Sequence, residues 1–370
     1  MNIAVFNKKK PSESIFTALN TEVEQYFVDN NLSRKGNTHL YIKSIFFVSC
    51  IIYAYTQLVF FTPESIIACV LLCIFAGCTL AFIGFNVMHD ACHGSYSENK
   101  NVNNILSYSM NLLGSCAFIW KVKHNLVHHS FTNIDGIDAD IIQTKLLRFA
   151  PTQRKRKVHH YQHIYAIFLY AVSYAVWILF NDFEKYFKEK VHITPIRKFD
   201  ATQKTIFWIS KLYYVIVYFA IPIYMVGFGS AVAGFAITAA ACGVVLSVVF
   251  QLAHVVEQTE FEDATDTTLF LEAEWAEHQL NTTADFATDN KVVSWFLGGL
   301  NFQVEHHLFP YISHVHYPAI QPIIQRVCAE YGVAYRSYPT LQSALVSHFA
   351  MMKILGRMPQ PVAAAAPVFA

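Results

Sequence analysis

Apolar positions in this chain gather in long unbroken runs, where a water-soluble protein would show short periodic stripes. Residues 1–43 are polar and hold one amphipathic helical stretch near 15–28. Residues 44–61 form the first apolar run, Thr62, Pro63 and Glu64 a tight turn, and residues 65–88 a second run. Each run is close to the ~20 residues that cross a hydrocarbon core as a helix, so together they predict a helical hairpin. A second hairpin is expected from residues 205–226, which include Pro222, a turn at Gly227, Phe228 and Gly229, and residues 231–253. The expected fold is all-α and integral to the membrane, with four transmembrane helices in two hairpins.

Two weaker stretches lie between the hairpins. Residues 105–120 are interrupted by Ser107, Ser109, Asn111, Gly114 and Ser115, and residues 164–180 are short and rich in tyrosine. Parity places both in the interface or against other helices, because a single extra crossing would put the histidine clusters on opposite sides. The turns at 62–64 and 227–229 carry no lysine or arginine, whereas Arg34, Lys35, Lys43 and the run Arg154, Lys155, Arg156, Lys157 flank the other ends. The positive-inside rule then makes both termini and the central loop cytoplasmic. The chain divides into a cytoplasmic N-terminal segment (1–43), a membrane domain with a cytoplasmic helical cap (44–358) and a low-complexity tail (359–370) expected to be disordered.

Composition sharpens this picture. Among 370 residues, 54% are apolar and 14% charged, against about 25% charged in a soluble domain. A net charge of +1 gives no basic stripe for nucleic acid. The eight cysteines form no CxxC pair and lie mostly inside apolar runs, as buried thiols in a reducing setting. No apolar segment follows Lys8, Lys9 and Lys10 closely enough to read as a cleavable signal.

The 17 histidines are the anomaly. HDACH places His89 and His93 just past the second run, four residues apart and on one helix face. HNLVHH repeats that spacing with His124 and His128 and adds His129, turned about 100° around an α-helix toward a neighbouring ion. QVEHH supplies Gln303, His306 and His307, and His254 closes the last run, where a buried imidazole needs a partner. Eight imidazoles exceed the needs of one ion and suit two. Imidazole-rich shells fit iron, copper or zinc, and two redox-active ions beside a bilayer point to oxygen activation, with iron first among them. Asp90, Asn125, Asp138 and Asp140, with Asp135, are placed to orient the rings from behind. His278 is a secondary candidate. His159, His160 and His163 follow a basic run and suit the headgroup level, and His39, His192, His314, His316 and His348 fall in no pattern.

HDACH, HNLVHH and QVEHH, in this order between residues 81 and 318, resemble the three histidine boxes of the membrane fatty acid desaturases. NFQVEHHLFP, the serine and tyrosine after HDACHG, and HHSFTNIDGIDADI are similar to the front-end subgroup, which acts between an existing double bond and the carboxyl end. The resemblance implies a non-haem di-iron centre under a helical cap, with His89, His93, His124, His128, His129, Gln303, His306 and His307 as ligands. His254 matches the isolated histidine ending the fourth span. It implies a CoA- or lipid-linked acyl substrate, O₂, and electrons from cytochrome b5 or ferredoxin with its NAD(P)H reductase. No HPGG haem motif occurs, so the donor is expected to be a separate protein. The boxes leave open a hydroxylase or other oxygenase on the same scaffold. An intramembrane zinc protease would leave two clusters unused, and a haem cytochrome or ion transporter would carry its histidines singly.

Overall fold

The structure is a computed structural model that describes residues 4–196, 199–264 and 269–359. The tail expected to be disordered lies outside the described residues apart from Pro359. Among the described residues, five helices are long and apolar enough to cross a membrane: α2 (Thr38–Val59), α3 (Ile66–His93), α4 (Lys157–Lys188), α5 (Ala201–Val226) and α6 (Phe228–His254). Four are the two expected hairpins. The first begins at Thr38, ahead of the expected start at Ser44, because the Asn37 side chain accepts the Leu40 N–H and caps the helix there. Ser65 caps α3 in the same way, and Gly227, at φ +85°, makes the turn between α5 and α6. The fifth, α4, contains the stretch 164–180 expected at the interface, and it is longer than the apolar run because polar turns at both ends continue the helix. The broken stretch 105–120 divides into short pieces, Lys100–Ser107, Ser109–Leu112 and Ala117–Lys121.

Small residues let these helices approach. A Cβ on Gly77 of α3 would sit 2.3 Å from the Thr238 carbonyl of α6, and one on Gly243 of α6 would sit 2.5 Å from the Tyr170 carbonyl of α4. Close backbone contact of this kind replaces the hydrophobic drive that lipid removes. The outer faces keep Ile45, Ile52, Ile66, Leu71 and Phe168 exposed, as a lipid-facing surface requires.

The polar remainder folds over one end of this bundle. Helix α1 (Ile15–Asp29) covers the expected amphipathic stretch and buries Ile15, Leu19, Val23 and Phe27, one every four residues. That stripe packs on Ile320, Ile324 and Val327 of α9 (Tyr317–Tyr331). Between them in sequence come α7 (Trp275–Thr282) and α8 (Gln303–Leu308), and α10 (Leu341–Arg357) follows. Two- and three-residue parallel ladders tie distant loops together: Ala4–Phe6 with Leu269–Leu271, Ile134–Asp135 with Glu262–Asp263, and Asp285–Phe286 with Ser337–Tyr338.

Candidate metal centre

The first cluster rides on the last turns of α3. A π turn at Gly84–Met88 delivers His89 and His93, and Gly94, left-handed at φ +70°, stops the helix immediately after. The second cluster lies in a π-helical turn, Val122–His128, closed by the bond from the His129 N–H to the His124 carbonyl at 3.0 Å. This turn changes what the spacing means. An α-helix would leave His129 roughly 140° from His124. A π turn winds roughly 80–85° per residue and leaves His128 and His129 within roughly 50° of His124. All three rings therefore share a face. The third cluster sits on α8, whose N-terminus is held by the Val304 N–H donating to Asp285 Oδ1 at 2.9 Å. His254 ends α6.

These elements converge. The ligand atoms of His89, His93, His124 and His306 lie within 4.8 Å of one another, and so do those of His128, His254 and His307. His129 groups with His306 and His307, and its Nε2 is 3.1 Å from that of His124, so it stands between the two sets. His124 Nε2 is 3.3 Å from His89 Nε2. Seven of the eight histidines are buried, and His93 keeps some surface although its Nε2 is enclosed.

The chemistry of the ring nitrogens is the informative part. Nε2 of His93, His128, His254, His306 and His307 is buried without a hydrogen-bond partner. The opposite nitrogen is engaged in four of these five rings. His128 Nδ1–H donates to Asp138 (3.1 Å), His254 Nδ1–H to the Thr282 carbonyl (3.3 Å) and His307 Nδ1–H to Gln279 Oε1 (2.8 Å). His306 Nδ1 meets the Tyr317 hydroxyl at 3.3 Å. A carboxylate, a carbonyl and an amide oxygen can only accept, so they hold the proton on Nδ1 and leave the Nε2 lone pair bare. Burial, and then the neighbouring histidines, hold His124, His129, His306 and His307 neutral, well below the usual imidazole range. His128 differs: burial lowers it, but the Asp138 and Asp140 carboxylates together outweigh burial and its affinity for a proton is raised. Bare, converging, mostly neutral imidazoles are costly to bury with no cation between them, and they fit a metal-binding site.

The other candidates divide. Gln303 is buried, and its amide nitrogen donates to the Leu300 carbonyl at 2.7 Å. Asp138 backs His128 as expected, while Asp140 pairs with Lys123 and lies 3.6 Å from His128 Nδ1. Asn125 donates to the Cys92 carbonyl (3.0 Å), joining the second cluster to the first. Asp90 meets no cluster ring; it accepts from Ser313 (2.7 Å) and His314 (3.0 Å), and His314 in turn meets Lys43 at 2.9 Å. His278 sits behind the centre with Nε2 against the Thr132 carbonyl at 2.8 Å. Gln279, Tyr317 and the Thr282 carbonyl carry no spacing signal, because only the tertiary fold brings them to the rings. Trp120 stacks on His124 (4.3 Å, 24°), and Phe250 lies 5.1 Å from His128 and 5.3 Å from His254.

Residues 65–339 match the family model described as fatty acid desaturase. The chain is 35% identical to the sn-1 linoleoyl-lipid 6-desaturase of a Synechocystis species, over 92% of this chain and 94% of that protein. It is 36% identical to the protein of the same name from Arthrospira platensis, over 92% of each. It is 35% identical to the acyl-lipid (8-3)-desaturase of Physcomitrium patens, over 93% of this chain and 72% of that one.

Proposed function

The chain belongs to the fatty acid desaturase family, and from that premise we propose how its own residues carry the reaction. It is a fatty acyl desaturase of the front-end type, an oxidoreductase. The relatives named above act on lipid-linked chains, so the proposed substrate is an acyl chain on a membrane lipid. Two iron ions are the proposed cofactor, one held by His89, His93, His124 and His306, the other by His128, His254 and His307, with His129 between them and Gln303 completing the shell. The observation that carries this reading is the set of five enclosed Nε2 atoms with no partner.

Such ions, when bound, supply O₂-dependent oxidation of an unactivated methylene, which has no acidic proton for a side chain to take. The overall change removes two hydrogens from adjacent carbons and, with two electrons and two protons from outside, reduces O₂ to two waters. The chain's own part is positional. Asp138, Gln279, Tyr317 and the Thr282 carbonyl fix ring orientation, and the three of them that can only accept keep the proton on Nδ1 of His128, His254 and His307. Trp120 and Phe250 present apolar faces beside the rings, so water is excluded where the methylene must lie. The proposed electron donor is a separate carrier, cytochrome b5 or ferredoxin with its NAD(P)H reductase.

We further propose that four helices cross and that α4 lies along the face bearing the histidines. Helix α6 has 27 residues, about 40 Å at 1.5 Å per residue, against a hydrocarbon core of about 30 Å. Its last turns therefore stand beyond the core, and α4 meets it in the turn before them, at Gly243 and Ser247. One end of α4 is tied to α10 by Gln162 donating to the Met352 carbonyl (2.8 Å), and α10 is tied to the residue after His254 by His348 and the Val255 carbonyl (2.8 Å). The other end is joined to the start of α5 by Glu189 and Lys204 (3.0 Å). Both ends thus belong to the cap side, proposed to be cytoplasmic.

Expression in a host lacking polyunsaturated lipids, fed defined fatty acids, tests the activity. The expected product has lost two hydrogens at a position between an existing double bond and the carboxyl end. A product that has gained oxygen would overturn desaturation. His128→Ala and His306→Ala are each expected to abolish the product while the protein stays in the membrane.

A further inference from the structure

Asn133 is fully buried and follows the second histidine cluster by four residues. Its backbone is left-handed at φ +56°, a conformation that asparagine tolerates better than most residues. Its N–H donates to Asp138 Oδ2 at 2.9 Å, the same oxygen that receives the His128 Nδ1–H. Its side-chain amide donates to the His254 carbonyl at 2.8 Å and the Glu260 carbonyl at 3.1 Å, with the Thr282 carbonyl at 3.4 Å. The Thr282 carbonyl is the acceptor for His254 Nδ1–H. Asn133 therefore reaches His128 through Asp138, and His254 through two carbonyls. The preceding residue completes the pattern: Thr132 Oγ1 lies 2.7 Å from the His128 carbonyl and 2.9 Å from Gln279 Oε1, the acceptor for His307. The dipeptide thus stands behind all three rings of one set, while the ring support seen in the other set, Tyr317 against His306, comes from α9.

We propose that Asn133, with Thr132, is a positioning residue for one of the two metal subsites, the one formed by His128, His254 and His307, and that the other subsite is oriented independently of it. The inference rests on the two-ion reading above. The left-handed backbone lets the carboxylate of Asp138 and the end of α6 be reached from one residue, and the amide is the only side-chain group of that size that donates to two carbonyls at once. Outer partners of this kind set metal affinity by about 10–100-fold.

The test is iron binding by the full chain purified in detergent, read as ions per chain and by Mössbauer spectroscopy, with no dependence on turnover. Asn133→Gly keeps the left-handed backbone and the N–H that donates to Asp138, and removes the side-chain amide that reaches the His254 and Glu260 carbonyls. It is expected to hold about one ion per chain at iron concentrations where the unaltered protein holds two, with one spectral component lost and the other unmoved. Asn133→Asp, which turns an oxygen toward the carbonyls, is expected to do the same. Tyr317→Phe is expected to perturb the component that Asn133→Gly leaves alone. Two ions with unaltered spectra in Asn133→Gly would overturn the proposal, and so would equal weakening of both ions. A single ion in the unaltered protein would overturn the two-ion reading itself, and is told apart because it is seen before any substitution.

Discussion

A histidine ring offers one nitrogen to a metal most readily when something else holds the proton on the other. At the residue scale seven of the eight histidines stood out by their spacing and His254 by its place at the end of an apolar run, while Asp138 was one of five polar candidates beside the clusters. The remaining ring partners were not legible, because an amide, a hydroxyl and a backbone carbonyl have no distinctive sequence pattern and reach the rings from 11 to 28 residues away. Asp90 illustrates the opposite error: adjacency to His89 suggested a role behind that ring, yet its carboxylate turns to Ser313 and His314. Gln279 provides a discriminating case. Gln279→Leu removes the 2.8 Å acceptor of the His307 N–H and leaves Thr132 Oγ1 at 3.3 Å, so it should weaken metal retention, by up to about 10–100-fold. Gln279→Glu keeps an acceptor and should retain metal far better. Metal content after dialysis against a graded chelator separates the two.

At the scale of elements, the apolar runs foretold the hairpins, but they carry no mark of the π turns. His129 was expected to face a neighbouring ion at about 100° from His128, and instead joins both sets because the turn is underwound. The six-residue α8 is too short to be stable by itself. Asp285 is what anchors it: this buried carboxyl accepts from Val304, Gln321 (3.1 Å) and Tyr335, and the Tyr335 oxygen also lies 2.8 Å from Glu305 within α8. Burial pushes Asp285 up to about 6, and burial with the Asp285 charge pushes its neighbour Glu305 higher still, so that Glu305 stays protonated beside it through this range. A carboxyl raised in the folded state favours folding below its unfolded value of 3.8, and that contribution is lost as pH rises through about 6. Thermal denaturation in detergent should therefore show the unaltered protein losing stability, relative to Asp285→Asn, between about pH 4 and 6. Asp285→Ala, which leaves the Val304 N–H without its acceptor, should be destabilised throughout that range.

At the scale of the whole molecule, everything depends on which helices cross, since the histidines can meet only if all their elements emerge on one side. Length and hydropathy alone admit α4 as a fifth span, and a fifth crossing would separate the second cluster from His254. The convergence of those rings, at 4.7 Å between the centroids of His128 and His254, requires an even number of crossings between them. Parity was available in the sequence, whereas the ties at the two ends of α4 were not: they are tertiary, Gln162 to α10 and Glu189 to the start of α5, and on the proposed topology they keep α4 on one face. N-glycosylation acceptor sites inserted singly after Glu64, Gly229, Lys155 and Lys188, in a chain expressed in endoplasmic reticulum membranes, give a direct reading. Sites after Glu64 and Gly229 should be glycosylated, and those after Lys155 and Lys188 should not. Glycosylation after Lys188 alone of the latter two would mean that α4 crosses, and the arrangement that lets one membrane face hold every histidine would then have to be abandoned.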